Sequence, residues 1–373
     1  MNIDEIRKDF PIVENRIFLN HAGISPLPRP VIEAIRRYLD ESPRLGTYKI
    51  DLDECKRLFA DLIGAKLEEI AATPNASTGI NIVANMLSYP PEANIVTTDL
   101  EYPAVVYPWL RKKVEVRYVK NINGRLLIED FEKLIDDKTV IVAISHVEYA
   151  NGFRNDIKAI AQIAHEHGAL IMVDAIQSLG ALKVDVKRSD IDFLATSCYK
   201  WLLAPSGIGF LYIKEDLIEK FEPTFVGCAG VKPEIFETSN LWNNRELILR
   251  RDAGRFEVSW PGDIPLIGVM AALRMILGFG IDWIEGRVLR LTGFLMDGLE
   301  DLGLRLQTPR EDEERSGIVN FLVDDPDEMV KLLRGKGIIV SARGCGVRVS
   351  PHFYNTEEEI RILIDALKDL LRG

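Results

Sequence analysis

A lysine at the end of an apolar run and just before a glycine-rich turn is placed for amine chemistry, and residues 195–210, ATSCYKWLLAPSGIGF, put Lys200 there. Residues 191–196, IDFLAT, are short, mostly apolar and β-prone, which predicts a buried strand delivering Ser197 and Lys200 to a pocket. In open α/β sheets ligands bind at that edge. Burial there lowers an ammonium pKa and frees a nucleophilic amine, the property a Schiff-base lysine needs. Most of the 46 lysines and arginines are solvated surface charges, so Lys200 gains meaning only in company.

Other stretches supply that company. Residues 169–173, ALIMV, read as a buried strand ending on Asp174. A carboxylate there is costly to desolvate unless a cation or a ligand-binding edge receives it; a turn-forming aspartate is the alternative. Gln177 follows three residues later and shares the site if a turn begins there. Residues 73–79, TPNASTG, run into the apolar pattern Ile80, Val83, Met86, Leu87. Asn75 or Ser77 can cap that helix, whose free amides and positive dipole end suit a phosphate, although a plain capped helix has the same pattern.

In residues 347–350, VRVS, the valines share one strand face, and Arg348 with Ser350 the other. That makes Arg348 either a fixed fork for a carboxylate or a surface arginine on an edge strand. His21, beside the glycine turn of FLNHAG, is either a hydrogen-bonded structural histidine or a group facing a ligand. His165 and His167, two apart in a helical pattern, point to different faces, so no metal site is expected.

These residues need a scaffold, and strand and helix patterns alternate from residue 93 to residue 174 with short turns between them. Repeated β-α units favour a mainly parallel sheet sandwiched by helices. Two long helical patterns at 265–279 and 283–302 precede an alternating tail that reads as a smaller α+β domain. Residues 222–260 have poor periodicity, and loops of that length are usually functional.

A net charge of −11 repels phosphate, which argues against nucleic acid or an anionic membrane as partner. The amino terminus has acidic residues where a signal peptide has basic ones, and no apolar run of about 18 residues could span a bilayer. Four cysteines, Cys55, Cys198, Cys228 and Cys345, lie far apart without a C-x-x-C pair, which fits a reducing cytoplasm better than a disulfide framework.

The order of these parts, a phosphate-receiving turn, an aromatic after a strand, Asp and Lys at strand ends and a distal Arg, resembles the fold-type I pyridoxal-phosphate enzymes of the aminotransferase class V family. The segments FLNHAGISPLPRPV, VDAIQSLGAL, YKWLLAPSGIGFLY and VRVSPHFYNTEEEI carry the likeness over nearly the whole chain. The resemblance implies an α/β fold with a seven-stranded-type sheet: an amino-terminal segment 1–25 packing with the small domain, a cofactor-binding domain 26–255 and a small domain 256–373. It implies that Lys200 carries the cofactor and moves the Cα proton, and that Asp174 pairs with the pyridinium nitrogen. Gln177 would then bond the cofactor O3′, and Asn75, Ala76, Ser77 and Ser197 the phosphate, while Tyr102 stacks on the ring. It further implies that Arg348 binds the substrate α-carboxylate, with Tyr149, Asn151 and His21 around it.

The implied activity is an aminotransferase-like reaction at Cα of a small amino acid, in a homodimer with the active site at the subunit interface. A cysteine desulfurase-like or kynureninase-like lyase, or an epimerase, is the alternative. KWLLAP looks most like the isopenicillin N epimerase-like branch, and Tyr199 resembles kynureninases, whereas desulfurases usually have histidine before the lysine. Cys345 stands only three residues before Arg348, too close for the long loop that carries a desulfurase nucleophile. Ser259-Trp260 stands where such enzymes have a Gly-Thr pair donated across a dimer.

Overall fold

The computed structural model describes residues 1–46, 50–232 and 246–372. The chain opens with α1 (Ile3–Arg7), β1 (Ile17–Phe18), α2 (Arg29–Leu45) and α3 (Leu52–Ile63). The central run is β2 (Ile70–Thr73), α4 (Ala76–Met86), β3 (Asn94–Thr98), α5 (Pro103–Lys112), β4 (Glu115–Val119) and α6 (Ile128–Leu134). It continues through β5 (Thr139–Ser145), α7 (Ile157–Glu166), β6 (Leu170–Asp174), β7 (Phe193–Ser197), β8 (Gly209–Ile213) and α8 (Glu215–Ile218). The last third holds α9 (Asp263–Phe279), α10 (Ile281–Asp301), β9 (Val319–Leu322) and α11 (Pro326–Gly335). It ends with β10 (Ile338–Ile339), β11 (Ser341–Arg343), β12 (Gly346–Val349) and α12 (Glu357–Leu370).

Seven strands form one sheet in the order β2-β8-β7-β6-β5-β3-β4, parallel except for β8, which runs against both neighbours. The fold class is thus the α/β sandwich the sequence implies. Alternation along β6 shows why the strand is apolar throughout: Ile171 and Val173 enter one core and Met172 the core on the opposite face. A strand covered on both sides has no polar face.

The amino-terminal segment reaches the tail, with Ile17 and Phe18 of β1 paired parallel to Ile338 and Ile339 of β10. A three-stranded sheet, β11-β12-β9, and the helices α10, α11 and α12 enclose a separate core that includes Leu19. The expected boundary at residue 256 differs from the packing. Helix α9 lies against α2 and α3, and its Leu266, Val269, Leu273 and Ile276 join the large-domain core. The turn at Gly280 then swings α10 by 82° toward the small sheet. Because α9 is apolar nearly all round, its sequence does not reveal which core it serves.

The segment after the undescribed residues 233–245 is fastened by a buried ion pair. Lys56 Nζ meets Glu257 Oε1 at 3.1 Å, and the same oxygen accepts the Ala72 N–H at 2.8 Å. Breaking such a pair strands a buried charge at a cost of about 3–5 kcal/mol. The sequence expectation of a functional loop over residues 222–260 falls partly on residues outside the described ones.

Candidate active site

The parallel strands end together, and their loops enclose a cavity of about 510 Å³ between the large sheet and the small one. Strand β7 ends at Ser197, and a tight turn follows in which Leu203 N–H donates to the Lys200 carbonyl at 3.0 Å and Ala204 N–H to that of Cys198 at 3.1 Å. That turn aims Lys200 into the cavity. Burial, together with the charges of Arg348 and Arg343, pushes the Lys200 ammonium down to about 8 although Asp174 opposes this. At pH 7 such an amine is neutral in roughly one molecule in ten, against about one in several thousand for an ordinary lysine.

Asp174 ends β6, next to Lys200 in the cavity and 3% exposed. Its Oδ1 accepts the Ile176 N–H at 2.9 Å, yet burial pushes the carboxyl up to about 6. An acid held there has unused capacity for a cationic or N–H partner arriving from the cavity. Gln177 is fixed at both ends: Trp201 Nε1–H donates to its Oε1 at 3.0 Å, and its own Nε2–H donates to the Ala22 carbonyl at 3.1 Å. A primary amide has two N–H donors, so one remains for a ligand.

At the neighbouring strand end, Asn75 caps α4 by accepting the Thr78 N–H at 2.9 Å. The Ala76 N–H at the same helix end donates to Ser197 Oγ at 2.8 Å, and Ser77 lines the cavity beside them. With the Ala76 and Thr78 N–H groups engaged within the protein, Ser77 and the Ser197 hydroxyl at this helix amino terminus are what an anion would meet. Tyr102 precedes α5, half exposed, with its ring 5.3 Å from that of Tyr149 in an edge contact. Arg348 on β12 is 2% exposed, and its Nη1 donates to the Tyr149 carbonyl at 2.7 Å, while its Nε is buried without a partner. Burial, then the nearby Arg343 charge, push its guanidinium down to about 10.

The structure therefore gathers Asn75, Ala76, Ser77, Tyr102, Tyr149, Asp174, Gln177, Ser197, Lys200 and Arg348 around one cavity, and it leaves two expected residues outside. His21 is fully buried, 2.9 Å from the Ser350 carbonyl through Nδ1 and 2.9 Å from the Tyr354 hydroxyl through Nε2. Only a donating Nδ1–H satisfies that carbonyl, so Nε2 accepts from the tyrosine, and burial keeps the ring neutral. Its neighbours Ala22 and Gly23 reach the cavity instead. Asn151 is spent on its own turn, donating to the Gly124 carbonyl at 2.7 Å and accepting the Phe153 N–H at 3.1 Å.

The sequence reading missed Ser145, Ser206, Gly207 and Arg343 as lining residues. Ser145 was recoverable as the polar end of an apolar strand. It is held by Glu101, whose carboxylate accepts both its N–H and its Oγ–H, the latter at 2.7 Å. His165 and His167 are each engaged with separate aspartates, His165 with Asp190 and Asp192, His167 with Asp137.

A family model described as aminotransferase class V matches residues 17–363. The chain is 31% identical over 98% of its length to an uncharacterized aminotransferase, YcbU, of Bacillus subtilis, covering 97% of that protein. It is 30% identical over 99% of its length to a probable cysteine desulfurase of Pyrococcus abyssi, covering 98% of it. Among solved structures, an apo cysteine desulfurase from Thermococcus onnurineus superposes with a TM-score of 0.89 at 30% identity, over 100% of this chain and 99% of that one. The chain belongs to the class-V aminotransferase family. Its fold is that of the fold-type I enzymes, and pyridoxal phosphate is its cofactor. The donor set fits that group: Ser77 and the Ser197 hydroxyl at the α4 amino terminus, a carboxyl raised by burial, a lysine with a depressed pKa, and an amide N–H to spare.

Proposed function

We propose that this protein moves the amino group of a small amino acid, with Lys200 shuttling the Cα proton. The observation that carries the reading is that half-buried Lys200 and buried Asp174 line one cavity together with Arg348 and the amino terminus of α4, where desolvation lowers the lysine pKa and raises that of the aspartate. When bound, pyridoxal phosphate supplies an aldehyde for covalent attachment and an electron-accepting ring. The chain supplies the rest. The α4 amino terminus and Ser77 would hold the phosphate, Asp174 would pair as a carboxylate with the ring nitrogen, and Gln177 would give its spare N–H to the phenolic oxygen. Arg348 orients the substrate by its α-carboxylate, and Lys200 Nζ takes the proton from Cα and returns it.

Relatives named cysteine desulfurase make a lyase the second reading, and the position of Cys345 weighs against it. Arg343 pairs directly with Gly346, so Gly344 and Cys345 alone form the hairpin turn, with φ of 57° and 66°. A thiol confined to a two-residue turn lacks the reach of a loop-borne nucleophile, and Cys345 does not line the cavity.

We further assign the protein to the cytoplasm as a homodimer. Exposed Val258 and Trp260 border a groove beside the cavity, lined also by Thr78, Gly207 and Phe256, an apolar patch suited to a second copy. Incubating the cofactor-loaded protein with amino acids and a keto acid tests the reaction. Amino transfer to the keto acid is expected; sulfide or alanine release with no keto-acid requirement would replace it by a lyase.

A further inference from the structure

The cavity wall is cationic in a chain of net charge −11. Lys200, Arg343 and Arg348 line it against a single carboxylate, Asp174. Arg348 gives one N–H to the Tyr149 carbonyl, and exposed Arg343 gives one to the carbonyl of its neighbour Ala342 at 2.7 Å. Among the described residues neither guanidinium has a carboxylate partner.

Strand pairing fixes how the two arginines stand. In the antiparallel β11-β12 pair, Ser341 is opposite Arg348 and Arg343 opposite Gly346. Directly paired residues share a face, as do residues two apart on one strand, so Arg343 and Arg348 leave the same face as diagonal neighbours, about 7–8 Å apart. The proposed phosphate site comes from the large sheet and needs neither of them. An α-carboxylate neutralises one guanidinium and leaves the other facing the same space. Like charges around one cavity favour a ligand of opposite sign.

We propose that Arg343 and Arg348 together select an amino acid whose side chain ends in a second carboxylate, with Arg348 on the α-carboxylate and Arg343 on the distal one. This rests on the amino-acid reading above and names the substrate class for it. Arg343 acts as a specificity residue, since Lys200 and Asp174 serve the reaction at Cα whatever the side chain.

The test is a titration of the cofactor-loaded protein, followed by its visible absorbance, with L-aspartate against L-asparagine and L-glutamate against L-glutamine. In at least one pair the acid is expected to bind about 10- to 100-fold more tightly than its amide, the range of a charge-assisted hydrogen bond. Arg343→Gln is expected to bring that ratio to within about threefold, and Arg343→Lys to retain part of it. Equal binding of acid and amide, or a preference that survives Arg343→Gln, would overturn the inference. The two levels separate cleanly. A protein that develops no visible band with pyridoxal phosphate refutes the amino-acid reading and this inference with it. A band that responds to amino acids without favouring the acids refutes this inference alone.

Discussion

Trp201 Nε1 donates to Gln177 Oε1 at 3.0 Å, so the residue directly after Lys200 sets the orientation of an amide on the facing loop. The link fixes which end of Gln177 faces the cavity. Trp201→Phe keeps most of the ring and removes the donor. Losing one buried hydrogen bond costs about 1 kcal/mol, and the freed amide is expected to weaken cofactor affinity about five- to tenfold. An absorbance titration with pyridoxal phosphate measures this, and unchanged affinity would show that Gln177 is held by Ala22 alone.

The backbone of that same tryptophan explains a glycine. Gly180 has φ of +99°, and a Cβ there would lie 2.2 Å from the Trp201 carbonyl oxygen. Gly180→Ala adds both a left-handed strain of about 1–2 kcal/mol and a backbone clash beside Lys200. A lower unfolding midpoint together with weaker cofactor binding is expected. A destabilised variant with normal binding would uncouple the turn from the site.

Asp174 makes stability depend on pH. Its folded pKa is raised from 3.8 to about 6 by burial, so the folded chain keeps a proton that the unfolded chain releases. Its contribution to stability is therefore full below about pH 4 and falls by about 3 kcal/mol as pH rises through 6. Denaturant midpoints of the cofactor-free protein, compared with Asp174→Asn across pH 4 to 7, should show the wild type losing ground as pH rises. Parallel curves would mean the carboxyl is not raised.

Lys200 makes reactivity depend on pH in the opposite sense. Burial holds its pKa near 8, so capture of the aldehyde should accelerate as pH rises through 8 and then level off. Removing a nearby positive charge in Arg343→Gln should move that midpoint upward, because Arg343 helps to depress it. Stopped-flow absorbance reads both. A rate still climbing toward pH 10 would indicate an ordinary lysine.

Cys345 occupies a positive-φ position suited to glycine. Cys345→Gly should stabilise the hairpin by about 1 kcal/mol, and Cys345→Ala should preserve turnover. Turnover abolished in Cys345→Ala would restore a thiol-based lyase.

The sequence made the sheet and its ligand edge legible because buried parallel strands such as 170–174 are apolar throughout and end on a polar residue. Part of the cavity wall was legible for the same reason, since Asp174 and Ser197 end such strands and Lys200 follows one. His21 and Asn151 misled because a histidine or asparagine beside a glycine turn looks the same whether it faces a ligand or bonds the turn. Only the Ser350 carbonyl and the Tyr354 hydroxyl, more than 320 residues away, decide the case for His21. Arg343 was overlooked because its place in the cavity follows from the β11-β12 register, which a short polar strand does not announce. Helix α9, apolar nearly all round, gave no sign of its partner.

Lys200 is the amine proposed to carry the cofactor. Borohydride reduction of the protein loaded with pyridoxal phosphate, followed by peptide mass analysis, tests it most directly. The reduced cofactor is expected on the peptide containing Lys200, and none on that peptide in Lys200→Ala. Label on a different lysine, or a protein that takes up no cofactor, would contradict it.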